Sequence, residues 1–311
     1  MKFNDLPQDR RRFLRLAAGF STGALLSGCG GGGGSDDSVP VVSAPVAVVP
    51  AAPPSAAVTH PLNLALMLAY LGAQYHAVAS RGSGLPATLT GGTGNAGAVT
   101  GGRRVTFADP MIAALAVELA DEKAAQVATL RTAIGTAVAA QPAIDLSTGT
   151  TSAFAIADQR AGIVAGGQAF DPYAGDTAFL LGGFLIEYAV AASYRTLLLT
   201  GGDSAATTAA STLLADAIYQ GGLIRSLLDH QADANPAIGA ALTQVTAMLT
   251  AVDGTNVGNQ TLSGNGTGAN LLDADGRPIP FTRATGQVLN ALYLSNGGAG
   301  GFLPMGANGV A

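Results

Sequence analysis

The stretch "DEKAAQVATLR", residues 121–131, decides how this chain folds. Its surroundings read as helix, and Ile112, Ala116, Leu119, Lys123, Gln126, Leu130 and Ile134 recur at steps of four and three. That spacing is the inward stripe of a helix packed in a bundle. A lysine and a glutamine in the middle of such a stripe need a reason, because a polar group taken out of water must find a partner. Glu118 and Glu122 fall off the stripe and read as a solvated face.

Working outward, three more segments carry helical periodicity. The first predicted helix covers about 61–80, with Leu64, Leu68, Leu71, Gly72, Tyr75 and Ala79 on one face. The second is the opening helix, about 109–135, with Asp109–Pro110 as its start signal. The third covers about 176–199 and the fourth about 204–230, with Leu213, Ala217, Gln220, Ile224 and Leu227 inward. "FLLGGFLIEYAVAAS" in the third is apolar enough to raise a membrane span, but Glu187 interrupts it and Arg195 follows, so a buried bundle helix is expected. The second and fourth helices echo each other: Glu122, Gln126 and Arg131 recur as Asp216, Gln220 and Arg225 at the same offsets. This suggests two helical hairpins packed with pseudo-twofold symmetry. Further helices are expected at about 236–252 and 282–295, before a Gly-rich tail in which Phe302, Leu303 and Met305 either cap the bundle or touch another subunit of a homo-oligomer.

The N-terminus reads as an address. Arg10 and Arg11, followed by Arg12, Phe13, Leu14 and Arg15, resemble a twin-arginine export signal. The apolar run after them is too short and too rich in Gly and Ser to span a bilayer. "LSGC", ending at Cys29, resembles a bacterial lipobox whose cysteine is lipidated after cleavage. Cys29 is the only cysteine, which excludes an intrachain disulfide and a thiolate metal cluster. Residues 29–58 begin with a glycine run and continue as a Pro/Ala/Val spacer, a tether with no reason to fold. The organisation expected is therefore a signal over 1–28, a linker over 29–58, a bundle over 59–232 and a C-terminal helical extension over 233–311.

Beyond residue 28 acidic residues outnumber basic ones 18 to 10. With no basic patch and no RNA-binding aromatic motif, nucleic acid is a poor partner. The Gly-rich runs "GGTGNAG" and "SGNGTGAN" lack the lysine and strand context of a phosphate loop and read as plain loops. No serine sits in a strand-to-helix elbow. Of the three histidines, His60 lies at the linker edge and His230 ends the fourth helix, leaving His76 on the flank of the first.

From "LNLALMLAYLGAQYHA", "ELADEKAAQVATLR", "FLLGGFLIEYAVAASYRTLL", "LLADAIYQGGLIR" and the tail "FTRATGQVLNALYLSNGGAGGFLPMGANG", the chain resembles the exported bacterial ferritin-like domain proteins, relatives of plant desiccation-associated proteins. The resemblance implies an all-α ferritin-like four-helix bundle with extra C-terminal helices. In such bundles two helices each give a Glu and two each give Glu-x-x-His to a pair of metal ions. Carried over residue by residue, the second helix's Glu and His fall on Lys123 and Gln126, and the fourth's on Ala217 and Gln220. The third helix keeps Glu187, while the first offers Ala69, Gly72 or Gln74, none of them acidic.

The expectation is a degenerate di-iron site at Ala69, Lys123, Gln126, Glu187, Ala217 and Gln220, holding no metal. Lys123 pairs with Glu187, and Gln126 and Gln220 satisfy the remaining hydrogen bonds. The protein is then a lipoprotein anchored to the membrane through Cys29, facing the periplasm or cell exterior, with a structural or binding role rather than an enzymatic one. A site built from Glu122, Asp216 and Glu187, with Gln126 and Gln220 as weak amide ligands, is the metal-binding alternative and would suit a hard cation such as Mg²⁺ or Ca²⁺ better than a redox iron pair; the alternative function is an oxidoreductase or metal-storage role with a remodelled site using iron or manganese.

Overall fold

The computed structural model describes residues 60–200, 205–253 and 283–308. Arg10, Arg11 and Cys29, the linker and "SGNGTGAN" lie outside the described residues. Among the described residues the helices are α1 (Leu62–Arg81), α2 (Pro110–Ile134), α3 (Ala153–Ala161), α4 (Asp176–Thr200), α5 (Ala205–Ala234), α6 (Pro236–Asp253) and α7 (Thr285–Tyr293). Two three-residue strands, β1 (Val99–Gly101) and β2 (Ile144–Leu146), pair in parallel with Val99 opposite Ile144 and Gly101 opposite Leu146. The fold is all-α, with that short ladder as an accessory.

The helix ends follow local chemistry. Asp109 caps α2 by accepting from the Met111 amide at 2.7 Å, with Pro110 in the first turn. Gly82 ends α1 at φ 78°, where a side chain would be strained. The carboxylate of Asp176, at the start of α4, accepts from the Ala108 and Asp109 amides, tying the first turns of α2 and α4 together.

α1 departs from the one-sided helix expected. Every residue from Leu62 to Ser80 is buried. On one side it meets α2 and α4. The connections flanking α2 cover the rest: a bridge joins Thr93 to Ala139 and the β1–β2 ladder continues it. Asn63 holds this cover at one end, donating to the Ala137 carbonyl and accepting from the Ala139 amide. Tyr70 donates to the Ala139 carbonyl, and Gln74 bonds the Gln141 side chain and the Leu85 amide. The long loop between the first two helices is thus a strap rather than a loose excursion. Its glycines permit the closeness: a Cβ on Gly97 would sit 2.0 Å from the Ala143 amide nitrogen.

α4, the helix among the described residues long and apolar enough to cross a membrane, lies mostly buried inside the bundle. Gly182 and Gly183 let it close on α1, where the Tyr75 hydroxyl donates to the Phe179 carbonyl at 2.8 Å. α5 runs along α4, with Ala217, Gln220, Ile224 and Leu228 buried; Leu228 takes the inward place expected of half-buried Leu227. α3, unforeseen in the sequence, is capped by Ser152 and closed by Gly162 at φ 76°. α6 packs on α3, α5 and α7, so the C-terminal helices share the bundle's core. Phe302 and Leu303 are buried, Phe302 edge-on against Phe154, whereas Met305 is exposed.

Candidate functional site

The stripe of α2 and the middle of α4 meet at one buried point. Lys123 Nζ donates to Glu187 Oε2 at 2.5 Å, with both side chains shut off from water. His76 Nε2 lies 3.3 Å from the other carboxylate oxygen of Glu187. Gly72, one turn before His76 on α1, faces the same place: a Cβ there would lie 3.6 Å from Lys123 Cδ and 3.8 Å from Glu187 Oε1. Gly221 of α5 closes the fourth side, a Cβ there reaching 3.7 Å from Glu187 Cβ. Four helices therefore converge on the Glu187 side chain, three of them at its carboxylate.

Burial pushes the Glu187 carboxyl up, but the Lys123 charge and the His76 hydrogen bond outweigh it and hold the group below the ordinary range. Burial pushes His76 down against the opposing pull of Glu187, so the imidazole is held in its neutral form. A neutral imidazole that bonds a carboxylate through Nε2 carries its proton there, which leaves Nδ1 a bare acceptor with no partner. Two turns beyond Glu187, the Tyr194 hydroxyl is also buried without a partner, its pKa raised by burial and by the charges of Glu187 and Asp216.

The structure redistributes several roles expected from the sequence. His76 is fully buried and supplies the second contact to Glu187 that Gln126 and Gln220 were expected to give. The glutamines turn to each other instead: Gln126 Nε2 donates to Gln220 Oε1 at 3.4 Å, and Gln220 Nε2 donates to Glu122 Oε2 at 2.6 Å. Glu122 is accordingly half-buried and engaged, not part of a solvated face, whereas Glu118 is exposed as expected. On α1 it is Gly72 that faces Glu187; Gln74 is committed to the strap, and Ala69 is buried. Ala217 is buried on α5. Glu122, Asp216 and Glu187 do not gather: among the described residues, no three His, Cys, Asp or Glu side chains are grouped so as to hold a metal ion.

What the site offers chemically is one internally neutralised carboxylate, a neutral imidazole and a chain of amides ending on Glu122. The signal for His76 was available in the sequence, since it stands one helical turn from Gly72 and points the same way. Tyr194 gave a similar signal, seven residues from Glu187 on one helix.

No curated protein and no solved structure matches the chain. Residues 58–230, more than half of the chain, match the family described as "Ferritin-like domain". That span runs from just before α1 to the last turns of α5 and takes in the four long helices that converge on Glu187, and the chain belongs to the ferritin-like domain family.

Proposed function

We propose that this is an envelope lipoprotein in which an ammonium–carboxylate–imidazole cluster stands where di-iron relatives hold their metals, and that its role is structural or binding rather than enzymatic. The observation that carries the reading is the 2.5 Å contact between Lys123 and Glu187, both buried. In the family pattern four carboxylates balance two divalent cations. Here one ammonium balances one carboxylate. A di-iron pair does not fit this donor set: Lys123 puts a positive charge against Glu187, Gln126 and Gln220 bond each other, and Ala217 offers no donor.

The remainder of the reading rests on sequence signals. Arg10 and Arg11 direct folded export, and Cys29 carries the lipid that holds the bundle at the membrane, facing the periplasm or cell exterior. A kinship with desiccation-associated proteins belongs to the same resemblance. One feature favours a second reading, an oxidoreductase or storage protein binding a single iron or manganese: His76 and Glu187, both metal-ligand types, are adjacent, and His76 Nδ1 has no partner.

Metal analysis of the full chain, purified from membranes of cells grown with iron and manganese, separates the two. The first reading expects iron and manganese far below one ion per chain; a stoichiometric, tightly held ion overturns it. Anchoring is read independently from Cys29→Ser, which should release the protein from the membrane fraction.

A further inference from the structure

α3 stands apart from the four long helices. They pack on one another, whereas α3, in the connection from α2 to α4, packs chiefly on α6 and β2. Its hold on the core is aromatic. The buried Phe154 ring lies 4.9 Å from Phe302 and 5.5 Å from Tyr75, and the Tyr75 ring lies 5.1 Å from His76. Two ring contacts thus separate α3 from the imidazole that bonds Glu187.

The segment has a hinge at each end. Gly149 precedes α3 and Gly166 follows it, and a Cβ at either would meet nothing within 4 Å. Packing does not call for glycine at these points; what glycine supplies is free rotation of the backbone. Gln159 bonds only within the connection, to the Thr150 and Gln168 carbonyls. Arg160 reaches out of it, donating to the Leu294 carbonyl.

Asp158 makes this arrangement answer to pH. It is 5% exposed, and among the described residues burial alone acts on its carboxyl, with no hydrogen-bond donor and no charge to offset it. An ionised carboxylate so placed loses its hydration without compensation, so the closed form takes the neutral acid. The ionisable groups on the surrounding elements leave this unchanged. α6 carries none before Asp253, its last residue, and the tail carries none beyond Tyr293 up to Asn308. β2 brings Asp145, the turn before α4 brings Asp171 and Tyr173, and α1 brings Tyr75, whose hydroxyl the Asp158 charge helps to raise.

We propose that residues 149–166 are a hinged flap, shut while Asp158 is protonated and released when it ionises, so that a rise in pH opens the Tyr75–His76 side of the buried cluster while the four-helix bundle stays folded. The proton passes to solvent, and the carboxylate follows it into water. The inference goes beyond the preceding reading and holds whether or not the centre takes a metal.

The test is amide hydrogen exchange of the full chain in detergent micelles from pH 5 to 9. After correction for the intrinsic rate, protection in α3, as at the Ile156 amide bonded to the Ser152 carbonyl, should fall about tenfold per pH unit up to about 7 and then level off. α1 and α4 should stay better protected than α3 throughout. Asp158→Asn, which keeps the shape and cannot ionise, should remove the pH dependence. At pH 8 diethyl pyrocarbonate should label His76 at least about tenfold more slowly in this variant than in the wild type, with exposed His230 labelled equally in both. Flat protection in α3, a pH dependence that survives Asp158→Asn, equal labelling of His76, or α1 and α4 exchanging in step with α3 overturns the flap. The wild-type series decides alone if Asp158→Asn does not fold.

Discussion

Lys123 and Glu187, on different helices and 64 residues apart, satisfy each other at 2.5 Å in a place neither could occupy alone. Removing one partner strands a charge, whereas removing both leaves a space that apolar side chains can fill. Lys123→Ala should therefore cost about 3–5 kcal/mol, while Lys123→Met combined with Glu187→Leu should cost less, about 1–3 kcal/mol, for the buried His76 Nε2–H that it leaves without its acceptor. Urea unfolding followed by circular dichroism reads both. Equal losses in the two variants would dispose of the pairing.

The same pair sets an acid limit. Because Glu187 is held below its ordinary value in the folded state, the stability it contributes is present above that ordinary value and is lost as pH falls through the lower folded one. In the double variant this acid slope should be absent. Melting temperatures across the acid range, wild type against double variant, provide the comparison.

Asp158 pulls the opposite way. Burial alone raises its carboxyl to about 7. The folded state then binds that proton more tightly than the unfolded chain does, so stability is highest in acid and declines as pH rises through about 4 to 7. Asp158→Asn should be nearly neutral at pH 4 and stabilising at pH 8, by at most roughly 4 kcal/mol. A gain of equal size at both pH values would refute the assignment.

His76 should stay neutral where an ordinary histidine is half protonated, near pH 6.5. Nitrogen NMR of the imidazole should find the proton on Nε2 and none on Nδ1. A ring that titrates at the ordinary value would contradict the burial described for it.

Gly97→Ala should loosen the strap around α1, since the new methyl would overlap the Ala143 backbone. Overpacking of this kind costs about 1–3 kcal/mol. Faster amide exchange at Gly97 and Ile144, which donate to Gln141 and Ala98 across the two loops, would report the local opening. Unchanged exchange there would mean the loops part without cost.

The four long helices were legible because each carries an apolar stripe of the right period over many residues, and Lys123 stood out as an ionisable group inside one. Three features were not. The β1–β2 ladder pairs segments of three residues that no periodicity marks and that lie on opposite sides of α2. α3 spans nine residues, too short for its pattern to speak, although Ser152 and Gly162 mark its ends. Glu122 looked like a surface acid because helical position alone places it off the stripe; the Gln220 contact that engages it comes from another helix. The glycines of "GGTGNAG" read correctly as loop, but their use in close loop-to-loop packing shows only in three dimensions.

The strap has a consequence for how the chain must assemble. β1 precedes α2 and β2 follows it, so the cover over α1 closes only after α2 has turned back alongside. Contacts between segments so far apart form late compared with helices. A nascent chain therefore carries α1, a helix with no wet side, without its strap until residue 146 has been made and without its full cover until α4 follows, an interval in which its apolar surface is open to wrong partners.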